Sequence, residues 1–267
     1  MGQTKYLYKI LSAVINRMNQ NRLEMNIFAR FIDIIYPPRC HICRSFISDD
    51  RGQNPHFCSD CLASIAMIRP PLCTTCGIPF HSFSDENHLC ERCLRKRPFF
   101  DKLRAPYLYQ GQIMEAIHQM KYGGKPYLAK SLGALLASFA SDWLEDHGRY
   151  LMIPVPLHPQ RLRERGYNQS LLLSRVMSPL LGMDIDLLSL RRVKYTRSQT
   201  GLNSEERKRN VRGAFALEKS KEFKGRSIIL VDDVATTGYT MNECARVLKK
   251  AGCDKVLCLV LARTEAY

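Results

Sequence analysis

Residues 227–240 read SIILVDDVATTGYT. An unbroken apolar run about one strand long ends in two adjacent carboxylates, Asp232 and Asp233, and then in a small Thr/Gly-rich turn. A run without polar alternation is buried on both faces, as a central strand of a parallel sheet is. Helical spacing follows over 240–251, and VLCLVLA at 256–262 reads as a second buried strand, with AGC marking the turn between them. Ligands of such sheets bind beyond the carboxyl ends of the strands, which is where the two aspartates fall.

The turn itself has the composition of a phosphate cup. Ala235 and Gly238 let the backbone come close to a ligand, and the amides of Ala235 to Thr240 can surround phosphate oxygens together with the hydroxyls of Thr236, Thr237 and Thr240. The positive end of the next helix adds to the attraction. Two acids beside such a cup can hold the hydroxyls of a sugar. The stretch has neither the Lys/Ser ending of a P-loop nor the glycine spacing of a dinucleotide loop. An acidic pair after a strand also suits phosphorylation or magnesium binding, and it is the immediate TTG that favours a sugar phosphate.

Working back along the chain, strands and helices alternate. LRAPYLY at 103–109 predicts a first strand, and QIMEAIHQMKY at 112–122 a helix with Ile113, Ile117 and Met120 on one face, ended by Gly123 and Gly124. LAKSLGALLASFASDWLEDHG at 128–148 predicts a long helix stopping at Gly148. LMIPVPL at 151–157 is a short strand whose prolines place it at a strand end beside a working loop. The helix starting near Asn168 is expected to turn Leu171, Leu172, Val176 and Leu180 to the core, and AFAL, after a basic connection over 190–213, to form a hairpin or edge strand. The fold class is α/β: a mainly parallel sheet flanked by helices on both faces.

Upstream lie four C-x-x-C pairs: Cys40/Cys43, Cys58/Cys61, Cys73/Cys76 and Cys90/Cys93. Fourteen, eleven and thirteen residues separate successive pairs, which suits short knuckles bringing two pairs around one tetrahedral ion. Eight thiols serve two structural zinc ions and leave no open position for catalysis. Sequential pairing is the simpler scheme, with RPPLC as separator; spacing alone leaves interleaved pairing open. His41, His56, His81 and His88 lie among the pairs and one could substitute for a thiol, although eight thiols already suffice. Cys244, Cys253 and Cys258 lack paired spacing and are expected to be small buried residues.

The chain has 267 residues, 45% of them hydrophobic and 24% charged, a composition that sets disorder aside. Its length allows one substantial core plus a small module stapled by metal. Expected boundaries are a helical extension over 1–37, the zinc module over 38–98 and the sheet domain over 99–267. The net charge of +15 is concentrated at 161–169 and 190–213, which is either a solvated face or a surface for phosphates and nucleic acid. No apolar run has the roughly 20 residues needed to span a bilayer, and the N-terminus lacks a signal-peptide pattern. The cytoplasm is the expected location, with NIFARFIDIIY at 26–36 as a short helix for self-packing, a partner or the inner face of the membrane.

SIILVDDVATTGYT resembles the signature for 5-phosphoribosyl diphosphate (PRPP) in type I phosphoribosyltransferases. The resemblance implies that Asp232 and Asp233 hold the ribose hydroxyls and that Ala235, Thr236, Thr237, Gly238, Tyr239 and Thr240 wrap the 5-phosphate. With KYGG at 121–124, PVPLHPQRLRERGYNQS at 154–170, RVKYTRSQTGL at 192–202, RKRNVRGAF at 207–215 and PPRCHIC at 37–43, the chain resembles the ComF/ComFC competence family, GntX-like proteins included, from about Phe31 to its end. That likeness implies a type I phosphoribosyltransferase-like sheet with an N-terminal double zinc ribbon. It also implies a diphosphate loop starting at Leu157 and His158, with Arg165 its leading cation and Gln160, Arg161, Arg163 and Gly166 nearby. Lys121 and Tyr122 are candidate neighbours of the diphosphate, and Arg192, Arg197, Gln199, Arg207 and Asn210 candidates for a loop closing over it.

The implied ligands are two structural Zn²⁺ ions and Mg²⁺ with PRPP, and the implied function is handling of single-stranded DNA during natural transformation. Tyr122, Tyr127, Tyr167 and Tyr195 lie near basic residues and could stack on bases. Two alternatives stand beside this function: Mg-dependent transfer of phosphoribose from PRPP to an unidentified nitrogenous acceptor, and docking of a competence helicase or translocase through the zinc module. No segment for recognising a base is evident.

Overall fold

The computed structural model describes residues 36–47, 54–80, 86–144, 149–196, 204–218 and 223–265. Most of the expected N-terminal helix, His81, and Arg197 and Gln199 of the basic connection lie outside them, as do Gly148 and the side chain of Arg207. The chain separates into two compact units, 1–58 and 59–267.

In the first unit, Arg39 and Phe46 form an antiparallel bridge, closing a knuckle in which the Cys40 amide donates to the Ser45 carbonyl (2.8 Å) and the Arg44 amide to the Cys40 carbonyl (2.9 Å). Arg44 takes the left-handed conformation this turn requires (φ 68°). The Asn54 carboxamide oxygen accepts from the amides of His56 and Phe57, each at 3.1 Å, and so shapes the approach to Cys58.

The second unit contains a five-stranded parallel sheet: β1 (Lys102–Arg104), β2 (Tyr107–Leu108), β3 (Tyr150–Pro154), β6 (Ser227–Ala235) and β7 (Lys255–Arg263). The order is β1-β7-β6-β3, with β2 continuing along β7 beyond β1. The single strand expected over 103–109 is therefore two short ones, both parallel to β7. Pro154 ends β3 at an edge of the sheet, where a residue without an amide proton is tolerated. The central strands are the apolar runs of the sequence, and Ile228 to Val231 and Val256 to Ala262 are buried.

Helices cover both faces. Ile228, Leu230, Val256, Cys258 and Val260 share a cluster with Met241, Cys244, Ala245 and Leu248 of α8 (Tyr239–Lys250) and with Leu190 and Phe215. The last two belong to the antiparallel pair β4 (Leu190–Arg192) and β5 (Phe215–Leu217), so AFAL is the second arm of a separate two-stranded ribbon. The alternate residues Ile229, Val231, Leu257, Leu259 and Leu261 face the other way, toward α4 (Ala129–Trp143) and α6 (Gln169–Leu181). Before them come α1 (Ser59–Ala63), α2 (Glu91–Arg95) and α3 (Gly111–Tyr122); α5 (Pro159–Arg165) precedes α6, and α7 (Ser204–Val211) precedes β5. Ile113, Ile117 and Met120 of α3 are fully buried, as their spacing predicts.

Two helical expectations need correction. α4 ends at Trp143, with Leu144 in an extended conformation, rather than running to Gly148. The buried face of α6 is Gln169, Ser170, Leu173, Ser174, Met177 and Leu181, while Leu171, Leu172 and Val176 are half-buried and Leu180 is 61% exposed. The true face is rotated because α6 starts in a polar site, burying Gln169 and Ser170 there and Ser174 a turn later, which an apolar periodicity does not register.

The second cysteine group is built into this unit. Cys73, Cys76 and Cys93 join the same cluster as the sheet and α8. Its knuckle repeats the first: the Cys73 amide donates to Ile78 (2.8 Å), the Gly77 amide to Cys73 (2.9 Å), and Gly77 is left-handed (φ 65°). A Cβ on Gly77 would lie 2.4 Å from the Leu103 carbonyl oxygen, so glycine is what lets the knuckle press against β1. The Leu103 amide donates to Thr75 at 2.8 Å.

α4 and α6 meet at Gly133, where an added Cβ would stand 2.8 Å from Cβ of Val176 and 3.3 Å from the Leu173 carbonyl. Gly133→Ala gains about 1 kcal/mol of helix propensity against an overpacking cost of about 1–3 kcal/mol. Urea unfolding should show a net loss of up to about 2 kcal/mol, recovered in the Gly133→Ala/Val176→Ala chain, where the second truncation opens the contact.

Candidate functional site

β6 delivers Asp232 and Asp233 to the carboxyl edge of the sheet, into a cavity of about 690 Å³. The walls come from four places. Val155, Leu157 and His158 follow β3; Arg161 and Arg165 come from α5, and Gln169 and Ser170 from α6; His118, Lys121 and Tyr122 end α3; Arg192 and Thr196 follow the ribbon. Thr236 and Thr240 of the turn complete it. Of the residues the sequence singles out, the cavity thus gathers Leu157, His158, Arg165, Asp232, Asp233, Thr236 and Thr240, together with the candidates Lys121, Tyr122, Arg161 and Arg192. Ala235 is buried beneath, and Thr237, Gly238 and Tyr239 line a second cavity beside the zinc knuckle. Gly238 is left-handed (φ 76°) and caps α8, directing the start of that helix at the turn.

The acids are held by partners that sequence reasoning did not assign to them. Lys121 Nζ pairs with Asp233 Oδ1 at 2.7 Å, both side chains being largely buried. Ser170 Oγ donates to Asp232 Oδ1 at 2.7 Å. The position of Ser170 is set by Asn168, whose side-chain oxygen accepts from the Ser170 amide (3.1 Å) as the N-cap of α6, while its amide nitrogen donates to the Val155 carbonyl (3.0 Å). Lys121 is positioned at the end of α3, where the Met120 carbonyl accepts from the Tyr167 hydroxyl at 2.5 Å. The only sequence signals for either contact are KYGG and NQS themselves, since both partners are distant along the chain.

Burial, then the neighbouring Asp233, push Asp232 up to about 6, against the Ser170 hydrogen bond and the Lys121 charge. Lys121 goes the other way: burial would depress it, but the charge and hydrogen bond of Asp233, followed by Asp232 and Tyr109, raise it above its ordinary value. Arg192 is lowered by burial and its Nε has no hydrogen-bond partner among the described residues, although Nη2 donates to Thr196 Oγ1 at 2.5 Å. The half-buried guanidinium lines the same cavity as the two acids, and the charge of Asp232 is among those that favour it.

The rim is an aromatic and cationic array. Arg165 donates to Gln169 (2.9 Å) and lies 5.1 Å over the Tyr122 ring; Arg161 lies 5.4 Å over Tyr195, against which His158 packs edge-on at 5.3 Å. The Gln160 amide donates to His158 Nδ1 at 3.3 Å, making His158 the N-cap of α5. Tyr109 OH and His118 Nε2 are 2.8 Å apart on the far wall. Arg163 and Gly166 are absent from the lining.

The cysteine set divides into sequential groups. Cys40, Cys43 and Cys58 bring their sulfurs within 4.8 Å of one another, and Cys61, the fourth of that group, follows on α1. Cys73, Cys76, Cys90 and Cys93 do the same within the second unit, where Cys73 Sγ accepts from the amides of Cys76 and Cys90, each at 3.4 Å. Four thiols at these separations fit a structural zinc ion in the second group, and the first offers the same kind of donor. Cys244, Cys253 and Cys258 are buried free thiols in the core.

Comparison with known proteins agrees with this architecture. Residues 31–94 match the double zinc ribbon domain and residues 168–267 the phosphoribosyl transferase domain. The chain is 35% identical over 231 residues to Competence protein F of Haemophilus influenzae, covering 84% of this chain and 96% of that protein. It belongs to the ComF/ComFC competence family. DNA utilization protein YhgH of Escherichia coli strain K12 is 33% identical over 232 residues (85% of this chain, 98% of that one), and Competence protein ComFC of Bacillus subtilis 24% over 225 residues (80% and 89%). The ComF-type arrangement is therefore a phosphoribosyltransferase fold with cysteine knuckles, one of them packed into the core of its sheet domain. Among the described residues no helix is long and apolar enough to cross a membrane.

A free aspartate titrates near 4, so the raised Asp232 binds its proton more tightly in the folded chain. Its stabilising contribution is complete below about pH 4 and is lost as pH rises to about 6; above that the buried charge is a standing cost. Asp232→Asn keeps an acceptor for Ser170 and removes that cost. Thermal unfolding should show the variant a few degrees more stable than wild type at pH 7.5, on the order of 1 kcal/mol, with the gain gone near pH 4.

Proposed function

We propose that this chain binds Mg²⁺-PRPP in the cavity at the carboxyl end of β6 and handles single-stranded DNA during natural transformation. The observation that carries this is the acidic pair, held by Lys121 and Ser170 and set between a phosphate-type turn on one side and the arginines of α5 and Arg192 on the other. A ribose fits between the acids, its 5-phosphate in the Thr236–Thr240 turn and its diphosphate toward Leu157, His158 and Arg165. Asp232 and Asp233 orient the sugar. Lys121 pairs with Asp233, and Arg165 supplies a fork for phosphate oxygens.

The donor set suits a magnesium ion carried in by the ligand. Both acids already have protein partners, so the ion would be held mostly by diphosphate oxygens and water. Its chemistry there is neutralisation of diphosphate charge. The DNA part of the function draws on the printed names of the relatives, on the net charge of +15 and on exposed Tyr122, Tyr127 and Tyr195 beside cations. The chain would act in the cytoplasm.

Calorimetric titration with PRPP and MgCl₂ should give saturable binding that is lost in the Asp232→Asn/Asp233→Asn chain. Lys121→Met should weaken it about tenfold, as expected for one lost charge partner of a buried acid. Absence of saturable binding to the wild type rejects the site. Diphosphate release on adding a nucleobase panel would move the function to phosphoribosyl transfer.

Fluorescence anisotropy with a short labelled single strand should show an affinity falling linearly on a log–log plot with salt, with a slope of about −2 or steeper if three or more phosphates are met. No binding at low salt rejects the DNA part.

A further inference from the structure

Arg263, the last residue of β7, is 0% exposed, and none of its three side-chain nitrogens has a hydrogen-bond partner among the described residues. Its register partner is Ala235, and its own carbonyl accepts from the Tyr109 amide at 2.8 Å, so the backbone around it is fully ordered by the sheet. A guanidinium buried without a counter-charge costs several kcal/mol, more than a single-domain fold can absorb for nothing. The position therefore calls for an anion.

The direction of the side chain identifies which one. Its Nη1 lies 3.9 Å from the place a Cβ would take on Gly238, and Gly238 shares the walls of a cavity of about 530 Å³ with Cys76 and Cys93. The charges that favour the guanidinium against its burial are those of Cys76, Cys73 and Cys90, with Arg92 opposed; no carboxylate is among them. From β1, Arg104 reaches the same knuckle, donating to the carbonyls of Leu103 (2.8 Å), Thr74 (2.8 Å) and Thr75 (3.5 Å). Thr74 and Thr75 are the residues between Cys73 and Cys76. A zinc ion held by four thiolates leaves two negative charges, and the charges of Cys73 and Cys76 favour both arginines.

We propose that Arg263 is the buried counter-cation of the zinc tetrathiolate formed by Cys73, Cys76, Cys90 and Cys93. Metal loading then becomes the condition for closing the end of β7, because without the tetrathiolate the buried guanidinium has no counter-charge. Arg104 shares the task through the knuckle backbone. The cysteine group thus does more than tie its own loop: its charge is used by the sheet.

The test is zinc release from the full chain carrying both ions, followed with a coloured chelator, with Cys73→Ser identifying the phase that belongs to this group. Outer-sphere partners of metal ligands are typically worth 10–100-fold in affinity. Arg263→Met, similar in length but neutral, should speed release of that one ion about tenfold or more and leave the other unchanged. Arg263→Lys, which keeps the charge, should stay within about threefold of wild type. Wild-type release from Arg263→Met overturns the assignment, and so does equal loss from Arg263→Lys and Arg263→Met, which would make packing the cause. If the methionine chain does not accumulate folded, Arg263→Lys decides alone: retention supports the charge role and loss about tenfold or more faster overturns it.

Discussion

Two carboxylates side by side at the end of a buried strand repel each other and lose water, and the structure around β6 is arranged to meet that cost. Lys121 neutralises Asp233 from the end of α3, and Ser170 hydrogen-bonds Asp232 from the start of α6. Each partner is fixed in turn by backbone: Tyr167 on the Met120 carbonyl, Asn168 on Val155. The end of α3, the loop after β3 and the first turn of α6 are thereby registered against one point on the sheet. The accommodation is incomplete, since Asp232 is still pushed up to about 6. Residual cost at a site that a ligand can relieve is the usual exchange of stability for function.

The strands and the acidic turn were legible because their signals are local. An apolar run with no alternation, two acids and a threonine-glycine turn are read within fourteen residues, and β6, α8 and β7 follow without tertiary information. Four C-x-x-C pairs are equally local, and the sequential grouping of their thiols is the simpler of the two schemes the spacing allowed. The core face of α6 was misread because Ser170 and Ser174 are buried for reasons that lie elsewhere in the chain, and Leu180 is exposed although apolar. Lys121 stood out only as part of KYGG; nothing local shows that it meets Asp233. An arginine after an apolar run reads as a solvated charge, yet Arg263 is the largest fully buried side chain among the described residues.

The relation between the second cysteine knuckle and the sheet follows from packing before any charge is considered. Gly77 admits the Leu103 carbonyl to within contact of the knuckle turn, and the Leu103 amide returns a hydrogen bond to Thr75. Cys73, Cys76 and Cys93 lie in the same apolar cluster as Val260 and Met241. A small metal module normally folds on its own metal energy because it has too little core. Here the second knuckle borrows the core of the sheet domain, so its metal energy is not spent on the knuckle alone.

That sharing gives a physical reason for the two modules to occur in one chain. The turn after Asp233 has one side on the cavity at the carboxyl end of β6, through Thr236 and Thr240, and the other on the knuckle, through Thr237 and Gly238. Its glycine sits against Leu103 and Arg263, both of which are tied to the knuckle side. A turn that must present several amides to one anion gains from rigid support beneath it. Loops are the most mobile parts of most sites, and this one is braced from below by a strand end whose own charge needs the thiolates. Loss of metal would then loosen the turn from the side of the knuckle, while the residues that line the β6 cavity stay in the chain.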